Sequence, residues 1–267
     1  MSESQLCWAP FVWGEYRHFV PIYIASILRS YPDSYVRAFV HGELRQDLLD
    51  HLRSQISDRF EIHAAAPLQV RRWEHRMATR WFLPRESFAG FRYGYIGDVD
   101  ILVLREPEGI TAPHADHAQF LGVPYSNIVR AKGKRLTGLH FIEVEPYYER
   151  MAAVLDRCRD DEPFCSRNNE TVLYDMVQEG IGLPLVRMQQ RPYRPHHGIH
   201  LGLFRERGRH ESCRRRYHDS GETRQAQSQF AEDEPFLWLL ARARERCRGS
   251  YLRDVFPTLQ DLLTEWD

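Results

Sequence analysis

The sequence predicts an α/β fold in which a mostly parallel sheet is flanked by helices, with a helical C-terminal extension. Over the first 64 residues, hydrophobic runs typical of buried strands alternate with amphipathic helical patterns. A later strand pattern is interrupted by two carboxylates, and the chain ends in two helical patterns that follow an Arg-rich segment. In such folds, ligands bind at the carboxyl ends of the strands.

The N-terminal elements form a β-α-β-α-β pattern. An apolar run predicts a strand over residues 6–13, and apolar residues at helical spacing predict a helix over 15–31 that the following proline ends. A second strand is predicted at 35–41 and a third at 59–64, with a helix over 43–56 between them. This order of elements indicates parallel strands joined by helices.

The rest of the chain continues with a basic helical stretch over 69–83 and a strand over 93–104. Further strands are predicted at 119–124, 139–144, 183–187 and 198–204, and helices at 146–158, 169–179, 232–246 and 251–266. Residues 205–229 are polar and Arg-rich, which predicts a mobile loop. We therefore expect residues 1–204 to form the main domain, with 205–267 supplying a loop and helices that pack on it.

The overall charge excludes a generic polyanion binder. The chain has 36 Lys+Arg against 37 Asp+Glu, a net charge of −1, so no nucleic-acid partner is expected. Only Lys132 and Lys134 are lysines, and arginine offers a planar fork of donors that suits phosphate and carboxylate. Two segments, 69–92 and 205–218, each carry a net charge of +4.

Cysteine usage and hydropathy predict a cytoplasmic protein. The five cysteines are scattered and form no CxxC pair, so we expect reduced structural thiols rather than disulfides or a thiolate zinc site. No apolar run approaches the roughly 20 residues of a membrane helix, and residues 1–13 lack the basic and apolar regions of a signal peptide.

Two carboxylates form the first candidate site. Asp98 and Asp100 lie in an apolar strand pattern, and residues two apart in an extended chain project to the same side. Hard oxygen ligands suit Mn²⁺ or Mg²⁺, which predicts a metal site. The alternative is structural: Asp98 caps a turn while Asp100 pairs with an arginine.

A cluster of imidazoles forms the second candidate site. His196, His197 and His200 fall within five residues next to glycines that allow a close backbone approach. One of them is expected to complete a metal site with the two aspartates, His200 first because it lies in a short apolar strand pattern, and His197 second. A solvated His-rich loop is the alternative.

Three more polar residues are candidates. His140 follows Gly138 and either faces substrate hydroxyls or is a hydrogen-bonded core histidine. Glu170 either orients an acceptor, acts as a base, or stabilises an oxocarbenium ion. Its structural alternative is an acidic first-turn residue behind an Asn168 or Asn169 N-cap.

The motifs occur in an order that resembles the nucleotide-sugar-dependent glycosyltransferases of the GT-A (Rossmann-like) fold, over roughly residues 5–204. The layout is most similar to the retaining family-8 type, which includes glycogenin and lipopolysaccharide galactosyltransferases. The motifs are Arg80-Trp81-Phe82-Leu83-Pro84, Tyr93-Gly94-Tyr95-Ile96-Gly97-Asp98-Val99-Asp100, Thr137-Gly138-Leu139-His140-Phe141, Asn168-Asn169-Glu170-Thr171-Val172-Leu173 and a Gly-flanked histidine.

The resemblance implies a role for each matching position. Asp98, Asp100 and His200 or His197 would bind the Mn²⁺ or Mg²⁺ that holds the donor diphosphate. The remaining matches would contact the donor (Arg80, Val99, Gly138, and Phe11 to Tyr16 after the first strand, with Phe11 and Tyr16 against the nucleoside) or act in catalysis (Asn169, Glu170 and His140).

The implied reaction is hexose transfer from a nucleotide sugar, UDP-sugar by resemblance, to a glycan or lipid-linked acceptor in bacterial surface polysaccharide assembly. Contact with the inner membrane face would be peripheral and run through Arg205 to Arg216. Departures from the family pattern are Leu203-Phe204-Arg205 in place of Lys-Pro-Trp, and Asn168-Asn169-Glu170 in place of Asp-Gln-Asp.

Three other classes compete with this reading of the motifs. A haloacid-dehalogenase phosphohydrolase also uses DxD, but Leu102 stands where it has Thr or Val. A sugar-phosphate nucleotidyltransferase would use paired aspartates and Mg²⁺, but the N-terminal Gly-rich phosphate loop is missing. The third class is a catalytically inactive sugar-nucleotide-binding protein.

Overall fold

A computed structural model describes residues 5–66, 73–130, 133–159, 161–165, 167–193, 198–205, 220–247, 250 and 252–264. The strands are β1 (Leu6–Trp8), β2 (Phe11–Val12), β3 (Tyr35–Val40), β4 (Phe60–Ala64), β5 (Tyr93–Ile96), β6 (Ile101–Val103), β7 (Tyr125–Ser126), β8 (His140–Glu143) and β9 (Gly198–His200).

Ten α-helices lie within the described ranges. They are α1 (Val20–Ser30), α2 (Gln46–His51), α3 (Thr111–Leu121), α4 (Val144–Arg159), α5 (Glu162–Cys165), α6 (Asn169–Gly180), α7 (Leu185–Gln190), α8 (Gly221–Phe230), α9 (Glu234–Arg246) and α10 (Val255–Thr264). Shorter 3₁₀ segments span Gly14–Phe19, Trp73–Phe82, Arg85–Phe88 and Leu201–Arg205, and a π-helical turn, Leu52–Ile56, continues α2.

The main sheet is mostly parallel, which confirms the predicted fold class. Its order is β2-β3-β1-β5-β8-β7, with β4 paired to β3. The pairs among β1 to β5 are parallel, and the β5–β8 and β8–β7 pairs are antiparallel. A separate two-stranded antiparallel sheet joins β6 to β9.

Helices cover both faces of the main sheet. Successive side chains of β1 point to opposite faces: Leu6 and Trp8 join one core, and Cys7 joins the other together with Ala9, which follows the strand. The first core holds α1 and the C-terminal helices, where Phe19 and Phe256 have ring centroids 5.2 Å apart. The second holds residues of α4 and α6. The C-terminal helices thus share a core with the first strands.

The N-terminal pattern is confirmed with local differences. The predicted first strand is divided into β1 and β2 at Pro10, which has no N–H to donate to a ladder. The predicted first helix begins as a 3₁₀ segment, and α1 starts only at Val20, with Pro21 in its first turn where a missing N–H costs nothing. It ends before Pro32, as expected.

Two predicted strands are wrong. Residues 119–121 belong to α3, which ends at Gly122 in the left-handed conformation (φ +72°) that favours glycine after a helix. Residues 185–187 begin α7 after Pro184, and Val186 is 68% exposed there, so this apolar run does not form a buried strand.

The Arg-rich segment is partly helical. Residues 221–230 form α8, with Ser220 as its N-cap: the Ser220 hydroxyl accepts a hydrogen bond from the Thr223 amide at 3.2 Å. The loop prediction is therefore wrong for this part, while residues 206–219, and with them most of the predicted membrane contact, lie outside the described residues. The 198–204 strand is likewise shorter than predicted, since β9 ends at His200.

The four described cysteines are free thiols, as the sequence predicts. Cys7, Cys158, Cys165 and Cys247 are buried and free, and Cys213 lies outside the described residues. Burial raises the pKa of the Cys7 thiol to about 12, which keeps it unreactive. No helix in the described ranges has both the length and the apolar composition that crossing a bilayer requires.

Replacing Gly94 by alanine tests the close packing at the centre of the sheet. A Cβ on this residue of β5 would lie 2.6 Å from Cε1 of the buried Phe88 ring. We expect Gly94→Ala to lower the free energy of unfolding by about 1–3 kcal/mol, because a packed ring must shift. Urea unfolding monitored by circular dichroism measures this change.

The matched control is Gly221→Ala, since nothing lies within 4 Å of a Cβ at Gly221. We expect the control to change stability by about 0.5 kcal/mol or less. Equal effects of the two substitutions would contradict the packing described for β5.

Candidate active site

Asp98 and Asp100 lie in a bend between the two sheets rather than in one strand. β5 ends at Ile96 and β6 begins at Ile101, and the chain bends at residues 99–100. Within the described residues the two carboxylates have different partners, Arg80 for Asp98 and His200 with Arg205 for Asp100. The predicted continuous strand is interrupted between them, both residues lie at the carboxyl end of β5, and their binding of one cation stays a prediction.

Asp98 is bound by a buried arginine. Arg80 Nη1 donates to Asp98 Oδ1 at 2.5 Å, and Arg80 Nη2 donates to Asn169 Oδ1 at 2.8 Å. The Arg80 side chain is 2% exposed and that of Asp98 is 30% exposed. The Arg80 guanidinium also lies 4.4 Å from the centre of the Trp81 ring, whose Nε1 donates to the Asn169 carbonyl. Arg80 therefore joins the bend to the first turn of α6.

The backbone at Gly138 lies against this ion pair. A Cβ added to Gly138 would be 2.8 Å from Asp98 Oδ2 and 2.9 Å from Arg80 Nη2. Asn127 holds the neighbouring residue in place: its Oδ1 accepts from the amide and the hydroxyl of Thr137 at 3.0 and 2.7 Å. The predicted donor-binding residues Arg80, Asp98 and Gly138 are thus brought together.

Asp100 forms a second cluster with residues that follow β9. His200 Nε2 lies 3.4 Å from Asp100 Oδ2, and Arg205 Nη2 lies 3.5 Å from the same oxygen. The β6–β9 register pairs Ile101 with His200, and the Leu201 amide donates to the Asp100 carbonyl at 2.8 Å. The backbone pairing therefore fixes which histidine meets Asp100.

The three side chains of this second cluster differ in exposure: the carboxylate is buried, and the guanidinium and imidazole groups are more accessible to solvent. The Asp100 side chain is 5% exposed, that of Arg205 28% and that of His200 43%. Gly202 faces all three: a Cβ there would overlap Asp100 Oδ2 and lie 2.6 Å from Arg205 Nη2 and 3.0 Å from His200 Nε2. Any side chain at residue 202 would displace these three groups, so the close packing of the cluster requires glycine at this position.

The structure brings together one pair of the residues predicted to bind a metal, Asp100 and His200. Within the described ranges, no three His, Cys, Asp or Glu side chains come together as a metal-binding group. Asp100 and His200 do converge, and a carboxylate with an imidazole is a donor pair that Mn²⁺ accepts. Mg²⁺ and Mn²⁺ sites commonly use one or two protein ligands and take the others from substrate phosphates and water. His197, the second choice, lies outside the described residues.

Three residues predicted to contact the donor differ in accessibility. Phe11 and Val99 are buried, 3% and 5% exposed, so their side chains offer little surface to a nucleoside. Tyr16 is half-buried, and the Arg205 guanidinium lies 5.2 Å from the centre of its ring. Among these three, Tyr16 is the side chain that adjoins the Asp100 cluster.

Glu170 is held by two arginines. Arg130 Nη2 lies 2.5 Å from Glu170 Oε1 and Arg135 Nη1 lies 3.8 Å from Oε2, while the Glu170 side chain is 12% exposed. Asn168 caps α6 by accepting from the Glu170 amide at 3.0 Å. Both carboxylate oxygens are therefore paired, and Glu170 joins Arg130 and Arg135 to the N-terminus of α6.

His140 is a core residue. It is fully buried, and its Nδ1 faces Asn127 Nδ2 at 3.1 Å. The Trp81, Tyr125 and Tyr147 rings surround it, with centroids 5.4–6.1 Å away. Burial lowers the pKa of His140 to about 3, so the imidazole is neutral at physiological pH. This placement corresponds to the core alternative for His140 rather than to a contact with substrate hydroxyls.

Several residues of the site were not assigned a role from the sequence. The sequence predicts no contact of Arg205 with Asp100: it places Arg205 only in a basic segment and a peripheral membrane contact, Gly202 only among the glycines beside the histidines, and Asn127 in no site at all. Arg130 and Arg135 flank the two lysines of the chain, Lys132 and Lys134, and this density of basic residues was the available signal. Asn127 gave none, because its role depends on hydrogen bonds within the fold.

The comparisons with known proteins gave structural matches only. No family model matches the chain, and no curated protein matches it. A crystal structure of the galactosyltransferase LgtC, in complex with donor and acceptor sugar analogues, aligns with 66% of this chain and 70% of LgtC at 11% identity and a TM-score of 0.41. The glycosyltransferase GlyE of Streptococcus pneumoniae TIGR4 aligns with 66% of this chain and 44% of GlyE at 12% identity and a TM-score of 0.46. Both are glycosyltransferases, the class that the motifs resemble.

The burial of His140 leads to a pH-dependent stability. Its pKa is about 3 in the folded protein and about 6.5 in an unfolded chain, so below pH 6.5 the unfolded state binds the extra proton. Relative to His140→Phe, the wild-type protein should lose about 2 kcal/mol of unfolding free energy between pH 7 and pH 5. Urea unfolding at both pH values measures the difference. If the difference in unfolding free energy between the wild-type protein and His140→Phe were the same at both pH values, His140 would have an ordinary pKa in the folded protein and would therefore be in contact with water.

Proposed function

We propose that this protein is a glycosyltransferase that moves a hexose-type sugar from a nucleotide sugar, UDP-sugar by preference, to a glycan or lipid-linked acceptor with the help of Mn²⁺ or Mg²⁺. The observation that carries the proposal is the pair of clusters at the bend after β5. There Asp98 lies against Arg80, and Asp100 lies against His200 and Arg205. Bacterial surface polysaccharide assembly is the setting included in the proposal.

The charges of this site suit a reaction with a diphosphate leaving group. Transfer of a sugar from its nucleotide develops negative charge on the departing diphosphate, and fixed positive donors stabilise that charge. Arg205 supports this role because its guanidinium is partly exposed. A hydrogen bond from Arg205 Nε to the Gly202 carbonyl, 2.8 Å long, holds the guanidinium in position. A donor fixed in advance loses little conformational entropy when it binds phosphate.

A cation would be held by Asp100 and His200. When bound, it would supply Lewis-acid stabilisation of the diphosphate. Asp100 is nearly buried, so its charge acts in a medium of low polarity, and His200 is accessible enough to meet a ligand. The proximity of Arg205 to the same carboxylate means that a cation and the guanidinium would share the charge of Asp100.

Arg80, Asn169 and Glu170 have positioning roles in the proposal. Arg80 keeps Asp98 and the bend in place, and Asn169 orients Arg80 through its side-chain oxygen. Glu170 holds Arg130 and Arg135 at the start of α6. The remaining exposed surface of Asp98, beside the backbone of Gly138, is where the sugar of the donor would lie.

Calorimetry with a panel of nucleotide sugars, with and without Mn²⁺, tests the donor and the cation. We expect UDP-sugar binding to depend on Mn²⁺, and Asp100→Asn to weaken the metal-dependent part by about tenfold or more. His200→Ala should weaken metal affinity far more than the matched substitution His196→Ala. Equal effects of the two histidine substitutions would mean that His200 does not bind the cation.

Other outcomes separate the competing classes. If no nucleotide binds under any metal condition, the transferase proposal is wrong. If the protein forms pyrophosphate from a nucleoside triphosphate and a sugar phosphate, it is a nucleotidyltransferase. Binding of a nucleotide sugar without hydrolysis or transfer on any acceptor would identify an inactive binding protein.

The role of Arg205 is tested by its effect on turnover. We expect Arg205→Gln to lower kcat for transfer, or for slow hydrolysis of the donor, by about 10²–10³-fold, the usual effect of removing one fixed donor to a developing anion. The control is Arg224→Gln, which removes the same charge from an exposed position of α8. An unchanged kcat with a raised KM would show that Arg205 binds the donor without stabilising its leaving group.

A further inference from the structure

A cavity of about 160 Å³ lies apart from the residues of the candidate active site. It is enclosed by the 3₁₀ segment Gly14–Phe19 with the start of α1, by residues 43–48, and by α9. The 3₁₀ segment contributes to both places: the Tyr16 ring lies 5.2 Å from the Arg205 guanidinium of the candidate active site, while the next two residues, Arg17 and His18, line the cavity. The cavity shares no lining residue with the Asp98 or Asp100 clusters.

Positive charge converges on this cavity. Four arginines line it, Arg17, Arg45, Arg242 and Arg246, against the carboxylate of Glu43. Like charges gathered around one cavity repel one another unless an anion lies between them. The neutral total charge of the chain therefore conceals a local excess of positive charge at this place.

Two of the four arginines already have anionic partners. Arg45 Nε donates to Asp47 Oδ1 at 2.6 Å, and Arg242 Nη1 donates to Glu245 Oε2 at 3.1 Å. Neither Arg17 nor Arg246 has a carboxylate oxygen within 4.0 Å anywhere in the described part of the chain. The Arg17 guanidinium instead packs over the turn at Gly42, where an added Cβ would lie 3.4 Å from Nη1. Two guanidinium groups are thus available to a ligand.

His18 lies within the field of these two arginines. Burial lowers its pKa below the ordinary value, the charges of Arg17 and Arg246 act in the same direction, and Glu15 opposes them. The imidazole is therefore neutral at pH 7, and it offers a hydrogen-bond donor and an acceptor without adding charge. A neutral histidine beside two guanidinium groups suits an oxyanion that carries both hydroxyl and charged oxygens.

The buried part of the lining is apolar. Pro21, Leu239 and Ala243 are all buried. A purely ionic ligand would leave this surface unused, whereas a short carbon chain or ring would cover it. Because the volume is well below the 300–1,000 Å³ of drug-sized sites, it suits an anionic group with a few carbon atoms.

We propose that this cavity binds a phosphate ester, with the phosphate between Arg17 and Arg246 and the ester carbons against Pro21, Leu239 and Ala243. A phosphate monoester carries about −1.5 to −2 charge at pH 7, which matches two guanidinium groups that have no carboxylate partner among the described residues better than a carboxylate does. Arginine binds phosphate in a bidentate manner, which adds direction to the attraction. The ester is either a soluble phosphate or the headgroup of an anionic lipid.

Calorimetry of the full chain with inorganic phosphate and with butyl phosphate tests the proposal. We expect butyl phosphate to bind more tightly than inorganic phosphate, because only the ester covers the apolar lining. Arg17→Gln and Arg246→Gln should each weaken butyl phosphate binding by about tenfold or more, as expected for the loss of a charge-assisted hydrogen bond. Arg224→Gln, which removes the same charge from α8, should leave the affinity unchanged.

A substitution that keeps every charge tests the apolar lining. Ala243→Leu fills the cavity and should weaken butyl phosphate more than inorganic phosphate. Failure of the wild-type protein to bind either compound, or wild-type affinity in both arginine variants, would overturn the proposal. So would loss of binding in Arg205→Gln with retention in Arg246→Gln, because phosphate would then bind at the candidate active site.

The source of the ester is decided by vesicle sedimentation. Phosphatidylcholine vesicles that contain phosphatidic acid should retain the protein in an Arg17- and Arg246-dependent manner if the ligand is a lipid headgroup. If butyl phosphate binds with the same dependence and the vesicles do not, the ligand is a soluble ester. Nucleotide-sugar binding by the arginine variants should equal that of the wild-type protein in both cases, since the proposed donor site is elsewhere.

Discussion

The buried guanidinium of Arg80 is the interaction on which the rest of the site depends. A charge that is 2% exposed is costly unless it is paired and hydrogen-bonded. Its partners come from three places in the fold: Asp98 after β5, Asn169 at the start of α6, and the ring of Trp81 in its own segment. These contacts of the Arg80 guanidinium therefore determine how the sheet, the α6 helix and the preceding 3₁₀ segment pack together.

The second constraint is the pairing of β6 with β9. The hydroxyl of Ser30 donates to the Val103 carbonyl, and that of Ser26 accepts from the Val103 amide, so α1 holds β6 against the main core. β9 takes its position from β6, and the histidine at its end then meets Asp100. The two clusters are thus built by different means, one by a buried ion pair and the other by backbone pairing.

The sequence predicted the fold where pattern and local chemistry agree. Strand β3 was predicted from its apolar pattern, and helix α6 from its helical pattern and its asparagine N-cap. Asp100 and His200 were predicted as neighbours in a metal site. The separate partners of Asp98 and Asp100 were not predictable, because a bend at Val99 leaves the hydrophobic pattern of a continuous strand intact. Helix α3 was missed although Gly122 marks its end, since the Gln119 to Pro124 segment also has the composition of a short strand. The partners of Glu170, Arg130 and Arg135, lie more than 30 positions earlier in the sequence, so the local pattern around Glu170 did not indicate them.

The separation of Ile101 and His200 along the chain has a consequence for how the protein folds. β6 and β9 come together only after the intervening chain of about 100 residues has closed, and contacts between such distant segments form late because loop closure must precede them. The parallel pairs of β1, β3 and β4 involve much shorter separations. A folding chain would therefore acquire its N-terminal α/β layer first, and a nascent or truncated molecule with an ordered sheet would still lack the Asp100 cluster.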